Sequence, residues 1–194
     1  MRAQVSRVRV RSAIALSFLL LSLPVAAQTA AVAPAIDNFG TVNQHYYRGA
    51  QPIGRAYTEL AASGIKLVID LQEDGDASEP GLVDRAGMKF VRIPMNTRVA
   101  PTAEQVATFL QLVNDPANQP VYVHCAGGRH RTGVMTAVYR MAQEGWTPAR
   151  AFQEMKQYKF GADFLHPEFK RYVYAYNPAP ITPAETLVVE TATR

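Results

Sequence analysis

The sequence predicts an α/β domain, a single and mostly parallel central sheet flanked by helices. Short β-branched runs alternate with stretches of helical periodicity, and turn residues bound most of them. The 194-residue chain has room for one domain of ordinary size but not for two. The first strand is residues 66–71, Lys-Leu-Val-Ile-Asp-Leu, after a helix that starts near Tyr57 and is closed by Gly64. The second is residues 89–93, stopped by Pro94, and the third is residues 121–124, started by Pro120. Val106, Phe109, Leu110 and Val113 form one apolar helical face, and Thr102 with Gln105 reads as its capping box. Val134, Ala137, Val138 and Met141 repeat the spacing. Thr147 followed by Pro148 starts another helix, and residues 167–174 make the last.

Composition bounds the rest. The chain is 48% hydrophobic and 19% charged, which is globular rather than disordered. One cysteine excludes an internal disulfide and an all-cysteine metal site. The net charge of +4 suggests an anionic polymer until its location is read. Arg2, Arg7, Arg9 and Arg11 precede an apolar run from 13 to 23, then Pro24 and Val25-Ala26-Ala27. This describes a secretory signal peptide, residues 1–27, cleaved after Ala27. The run is short of the ~20 apolar residues of a membrane span. Cleavage removes four of the 20 basic residues and leaves 16 facing 16 acidic ones. The mature chain is therefore near neutral, with no nucleic-acid partner and no stable membrane insertion expected. The expected location is periplasmic or secreted. Residues 28–38 read as a linker, 39–176 as the domain, and 177–194 as a proline-rich tail that is disordered or adds an edge strand.

The chemistry lies in Val121-Tyr-Val-His-Cys-Ala-Gly-Gly-Arg-His-Arg-Thr-Gly133. A strand ends, a loop follows and a helix begins. The first amides of a helix lack intrahelical partners and its dipole is positive there, so the place suits an anion. Gly127 and Gly128 let the loop curl its own N–H groups inward. That field favours Cys125 as thiolate, an effective nucleophile at neutral pH. Arg131 offers a planar fork for two phosphate oxygens. The expected reaction is attack of Cys125 on phosphorus, with hydrolysis of the cysteinyl-phosphate by water. Thr132 is placed to donate to the sulfur. Neither a cofactor nor a metal is called for.

His124-Cys125-x5-Arg131-Thr132-Gly133 resembles the signature of the cysteine-dependent protein tyrosine and dual-specificity phosphatase superfamily. The stretch from Tyr46 to Pro52 and the strand at 66–71 are similar to the start of its compact atypical members, so the resemblance covers about residues 46–158. It implies a dual-specificity phosphatase-like fold and a phosphomonoester hydrolase acting on a phosphorylated substrate, phosphoprotein or small phosphoester. It makes Cys125 the nucleophile and Arg131 the phosphate binder, with Ala126, Gly127, Gly128, Arg129 and His130 lining the cradle. One departure stands out. The superfamily's general acid is usually an aspartate on a loop that here reads Pro94-Met-Asn-Thr-Arg-Val-Ala-Pro101, without a carboxylate. His130, Asp74, Asp76 or no enzyme-supplied acid are the candidates. A phosphate dianion should raise the pKa of His130.

Other polar residues carry plainer readings. His124 orients the loop, Arg129 sits at its rim, and Asp70 is a turn or cap residue. Arg48 and Arg98 face the pocket or pair on the surface. His45 and His166 stand alone, and Tyr158, Phe160, Phe164 and Phe169 belong to the core. Rival functions are an inositol-phosphate (phytase-like) phosphatase, a non-catalytic phosphate binder that has lost the acid, and a sulfur-transfer domain. The Arg-Thr-Gly ending argues against the last.

Overall fold

A computed structural model describes residues 34–178. The leader at 1–27, the linker as far as 33 and the tail from 179 lie outside the described residues. Five strands form one sheet: β1 (Gly40–Asn43), β2 (Tyr46–Ala50), β3 (Leu67–Gln72), β4 (Lys89–Met95) and β5 (Val121–Cys125). The strand order is β1-β2-β5-β3-β4. β1 pairs antiparallel with β2, and every other pairing is parallel. The helices are α1 (Ala56–Ala62), α2 (Glu79–Arg85), α3 (Ala103–Asn114), α4 (Arg131–Glu144), α5 (Pro148–Gln157) and α6 (Pro167–Ala175). Among the described residues none is long and apolar enough to cross a membrane.

Side-chain parity assigns the two faces of the sheet. Leu67, Ile69 and Leu71 of β3 join Val121, Val123 and Cys125 of β5 in one cluster, completed by residues of α3, α4, α5 and α6. Val68 and Tyr122 point the other way and pack with Tyr57 and Leu60 of α1 and Val83 of α2. Thr102 and Gln105 close the capping box that starts α3, and Thr147 caps α5 just before Pro148.

β1, β2 and α2 stand where the sequence pattern marks no element. Tyr46-Tyr-Arg-Gly-Ala50 has no clean apolar alternation, and its parallel register on β5 is a tertiary pairing. Residues 36–38, read as the end of a linker, are joined to the domain. Asn38 donates to three backbone carbonyls, and Asp37 pairs with Lys159.

Candidate active site

β5 ends at Cys125 and α4 begins at Arg131, so five residues must turn the chain between a buried strand and a buried helix. The loop is held from outside by its carbonyls. The Gln51 amide donates to Ala126 O (3.3 Å), and Asn38 Nδ2 to Gly127 O (3.4 Å) and Gly128 O (2.8 Å). Arg48 Nη2 donates to Gly128 O at 2.6 Å. A trans peptide sets its C=O and N–H in opposite directions. Drawing the carbonyls of Ala126 and Gly128 outward therefore turns the amides of Gly127 and Arg129 inward. Gly128 has φ +63°, and a Cβ there would strike the Gly49 backbone, so only glycine fits.

Cys125 is enclosed at the base of this ring. Burial pushes its thiol pKa up, but the Thr132 hydroxyl, the Thr132 amide, the Arg131 charge and the Arg129 amide outweigh it, and the net shift is downward. Thr132 Oγ1 is buried and makes no hydrogen bond elsewhere among the described residues, which leaves it free to turn to the sulfur; Thr132→Val keeps the volume and removes that donor. A hydrogen bond of that kind contributes roughly 1.5–3 kcal/mol. We expect the pH profile of iodoacetamide alkylation to move upward in the variant, with a rate about tenfold lower near neutrality. An unchanged profile would mean that the hydroxyl does not act on the sulfur.

Thr97, Cys125, Ala126, Gly127, Arg129, His130 and Arg131 line a cavity of about 260 Å³. Arg131 Nη1 donates to Met95 O (3.2 Å) and to Asp74 Oδ1 (3.0 Å). Asp74 thus reaches Arg131, and the hydrogen bond from Arg131 lowers its pKa. Asp76 is engaged by Ser78, which also lowers its pKa. In the phosphate-free protein these contacts favour the ionised form of both carboxylates.

In the phosphate-free protein the His130 pKa is lowered. Burial pushes it down first, and His166, Arg129 and Arg131 add to that against a hydrogen bond with Phe160 O. His166 does not stand alone: its ring lies 3.7 Å from the His130 ring, centroid to centroid, and its Nδ1 is 3.1 Å from Thr97 O.

On the opposite face of the sheet His124 is fully buried among Asp70, Glu79 and Tyr122. Its Nε2 approaches Glu79 Oε1 to 3.0 Å, and its Nδ1 lies 3.9 Å from Asp70 Oδ1. Neither approach has the alignment of a hydrogen bond. Arg92 Nε bonds Asp70 at 2.7 Å, and its Nη2 lies 3.9 Å from Glu79. Asp70, Glu79 and His124 are the residues that bring metal-ligand atoms together, within 4.8 Å, among the described residues. The carboxylates face different ring nitrogens and Arg92 already neutralises them in part, so the cluster reads as a clamp behind the loop. Asp70 is a turn residue, accepting from the Gln72 amide, and an ion-pair partner as well.

Other residues fall differently from expectation. Arg48 neither faces the pocket nor pairs at the surface; it is buried behind the loop with its guanidinium 4.0 Å from the Tyr158 ring. Arg98 is exposed, as is Phe164, while Phe160 and Phe169 are core. Asn38 carried no sequence signal, since its partners lie about ninety positions along the chain.

Residues 15–169 match the family described as "DSP-PTPase phosphatase fused to NAD+ Kinase". The chain belongs to this family. It is 30% identical over 169 residues to the dual specificity protein phosphatase TpbA of Pseudomonas aeruginosa, covering 82% of this chain and 76% of that one. The crystal structure of P. aeruginosa TpbA superposes with a TM-score of 0.64 at 26% identity, over 75% of this chain and 88% of that one. The catalytic core of the PP-IP phosphatase SIW14 from S. cerevisiae, in complex with citrate, gives a TM-score of 0.65 at 25% identity, over 73% and 87%. The phosphatase is a cysteine-dependent phosphoric monoester hydrolase of the dual-specificity type.

Proposed function

We propose that Cys125 attacks phosphorus, that Arg131 and the inward amides hold the equatorial oxygens, and that the preferred substrate is an aryl phosphate, phosphotyrosine in a protein. The observation that carries this is the missing proton donor. Residues 94–101, the loop on which the resemblance places the general acid, hold no carboxylate. A phenoxide leaves with little help, whereas an alkoxide needs a proton, and a placed general acid contributes roughly 10²–10⁴ in rate. Thr132, beside the sulfur, assists its departure when water hydrolyses the cysteinyl-phosphate. A structure of P. aeruginosa TpbA in complex with pTyr supports the substrate class. The basic, apolar and small-residue segments before residue 28 support action in the periplasm or outside the cell. The near-neutral remainder supports a phosphorylated substrate as partner rather than nucleic acid or membrane.

The test compares phosphotyrosine and phosphoserine in one peptide sequence, without added metal. We expect kcat/KM to favour phosphotyrosine by about a hundredfold or more. Equal values would reveal a donor serving both and overturn the reading. A phosphoanhydride also leaves without a proton, so an inositol diphosphate is the second reading, supported by the likeness to SIW14.

A further inference from the structure

Among the described residues five large hydrophobic side chains are exposed: Ile53 (78%), Val99 (59%), Phe164 (79%), Leu165 (61%) and Tyr174 (49%). Four of the five lie on segments tied to the catalytic pocket, and the fifth has a hydroxyl for water. Ile53 follows Gln51, whose amide holds Ala126 O. Val99 is two residues beyond Thr97, which lines the cavity. Phe164 and Leu165 directly precede His166, which contacts both Thr97 O and the His130 ring.

The last pair is not a frayed loop. Asp163, at the start of their 3-10 turn, accepts from Lys156 and Lys170, each at 2.7 Å. Two ion pairs hold the turn, and it presents its apolar side chains to water. Scattered exposed hydrophobic residues need no explanation, but here they sit on three separate segments that each border the pocket or its loop along the chain, which sets them apart from chance.

We propose that Ile53, Val99, Phe164 and Leu165 form a collar that seats the apolar side chains flanking a phosphorylated residue in a polypeptide. This deepens the phosphoprotein reading above and rests on it. Charge complementarity fixes the register of the partner. Arg131, Arg129 and the amide ring take the phosphate, which places the neighbouring residues of an extended peptide over the rim. An inositol phosphate bears oxygen on every ring carbon and gives such a collar nothing to bury.

The experiment uses the full chain and the variants Phe164→Ser/Leu165→Ser and Ile53→Ser/Val99→Ser. The probes are a phosphotyrosine peptide flanked by leucine and phenylalanine, its serine-flanked counterpart, p-nitrophenyl phosphate and an inositol diphosphate. We expect the wild type to prefer the apolar-flanked peptide by about tenfold in kcat/KM, chiefly through KM. That preference should collapse in the variants while p-nitrophenyl phosphate turnover stays within about twofold, which also reports that they fold. Equal cleavage of both peptides by the wild type overturns the collar. So does faster hydrolysis of the inositol diphosphate that is unaffected by the variants. Binding of the wild type, but not the variants, to phosphatidylglycerol vesicles without peptide discrimination would assign the surface to a membrane and overturn it too. Loss of p-nitrophenyl phosphate turnover in Cys125→Ser alone tests the catalytic reading, so the two can fail separately.

Discussion

Cys125→Ser should abolish turnover, with kcat falling by about 10⁴-fold or more, while inorganic phosphate still binds. The sulfur sits where an amide and a hydroxyl from the start of α4, the Arg129 amide and the Arg131 charge all favour its ionised form. Serine places an alcohol in the same field. Its proton is far harder to remove than that of a thiol. The amides of Gly127 and Arg129 are turned inward by bonds that do not involve the sulfur, from Gln51 and from Arg48 with Asn38. The cradle therefore survives the substitution. Phosphate titration by isothermal calorimetry beside p-nitrophenyl phosphate kinetics separates the two effects. Sustained turnover by the variant would remove the cysteinyl-phosphate mechanism, and lost phosphate binding would mean that the thiolate organises the loop.

The part of the site legible in the sequence is local in the chain. A strand, a cysteine, two glycines, an arginine and a helix start occupy thirteen consecutive residues, and their geometry follows from helix-terminus electrostatics alone. The same locality made α3, α4, α5 and the three apolar strands readable. What supports the loop is not local. Arg48 reads from sequence as a surface or pocket cation because arginine is rarely buried. It is buried only because Gly128 O and the Tyr158 ring, both far along the chain, accept it. His166 reads as solitary until the fold brings α6 against the loop, and that contact, with burial, lowers the His130 pKa in the phosphate-free protein. Phe164 reads as core on hydrophobicity alone; its turn is instead held at the surface by Lys156 and Lys170.

Arg131→Lys should retain the charge and lose most of the catalysis, with kcat/KM down by about 10²–10³-fold. The side chain is nearly buried, and one arm already makes two bonds, to Met95 O and Asp74. Guanidinium can keep the backbone bond on one nitrogen while its remaining donors face the equatorial oxygens in a fixed plane. An ammonium has one nitrogen and must choose. Phosphate and Asp74 compete for the same group, so binding of substrate requires Asp74 to give way. Its exposed carboxylate can do so with little loss, because a solvated ion pair is weak. Lysine lacks the second arm and so leaves the phosphate oxygens without a fork. Steady-state kinetics should show kcat falling more than KM rises, since the developing charge on the transferring phosphoryl group is what the fork meets. A variant that changed KM alone would show that Arg131 recognises the ground state only.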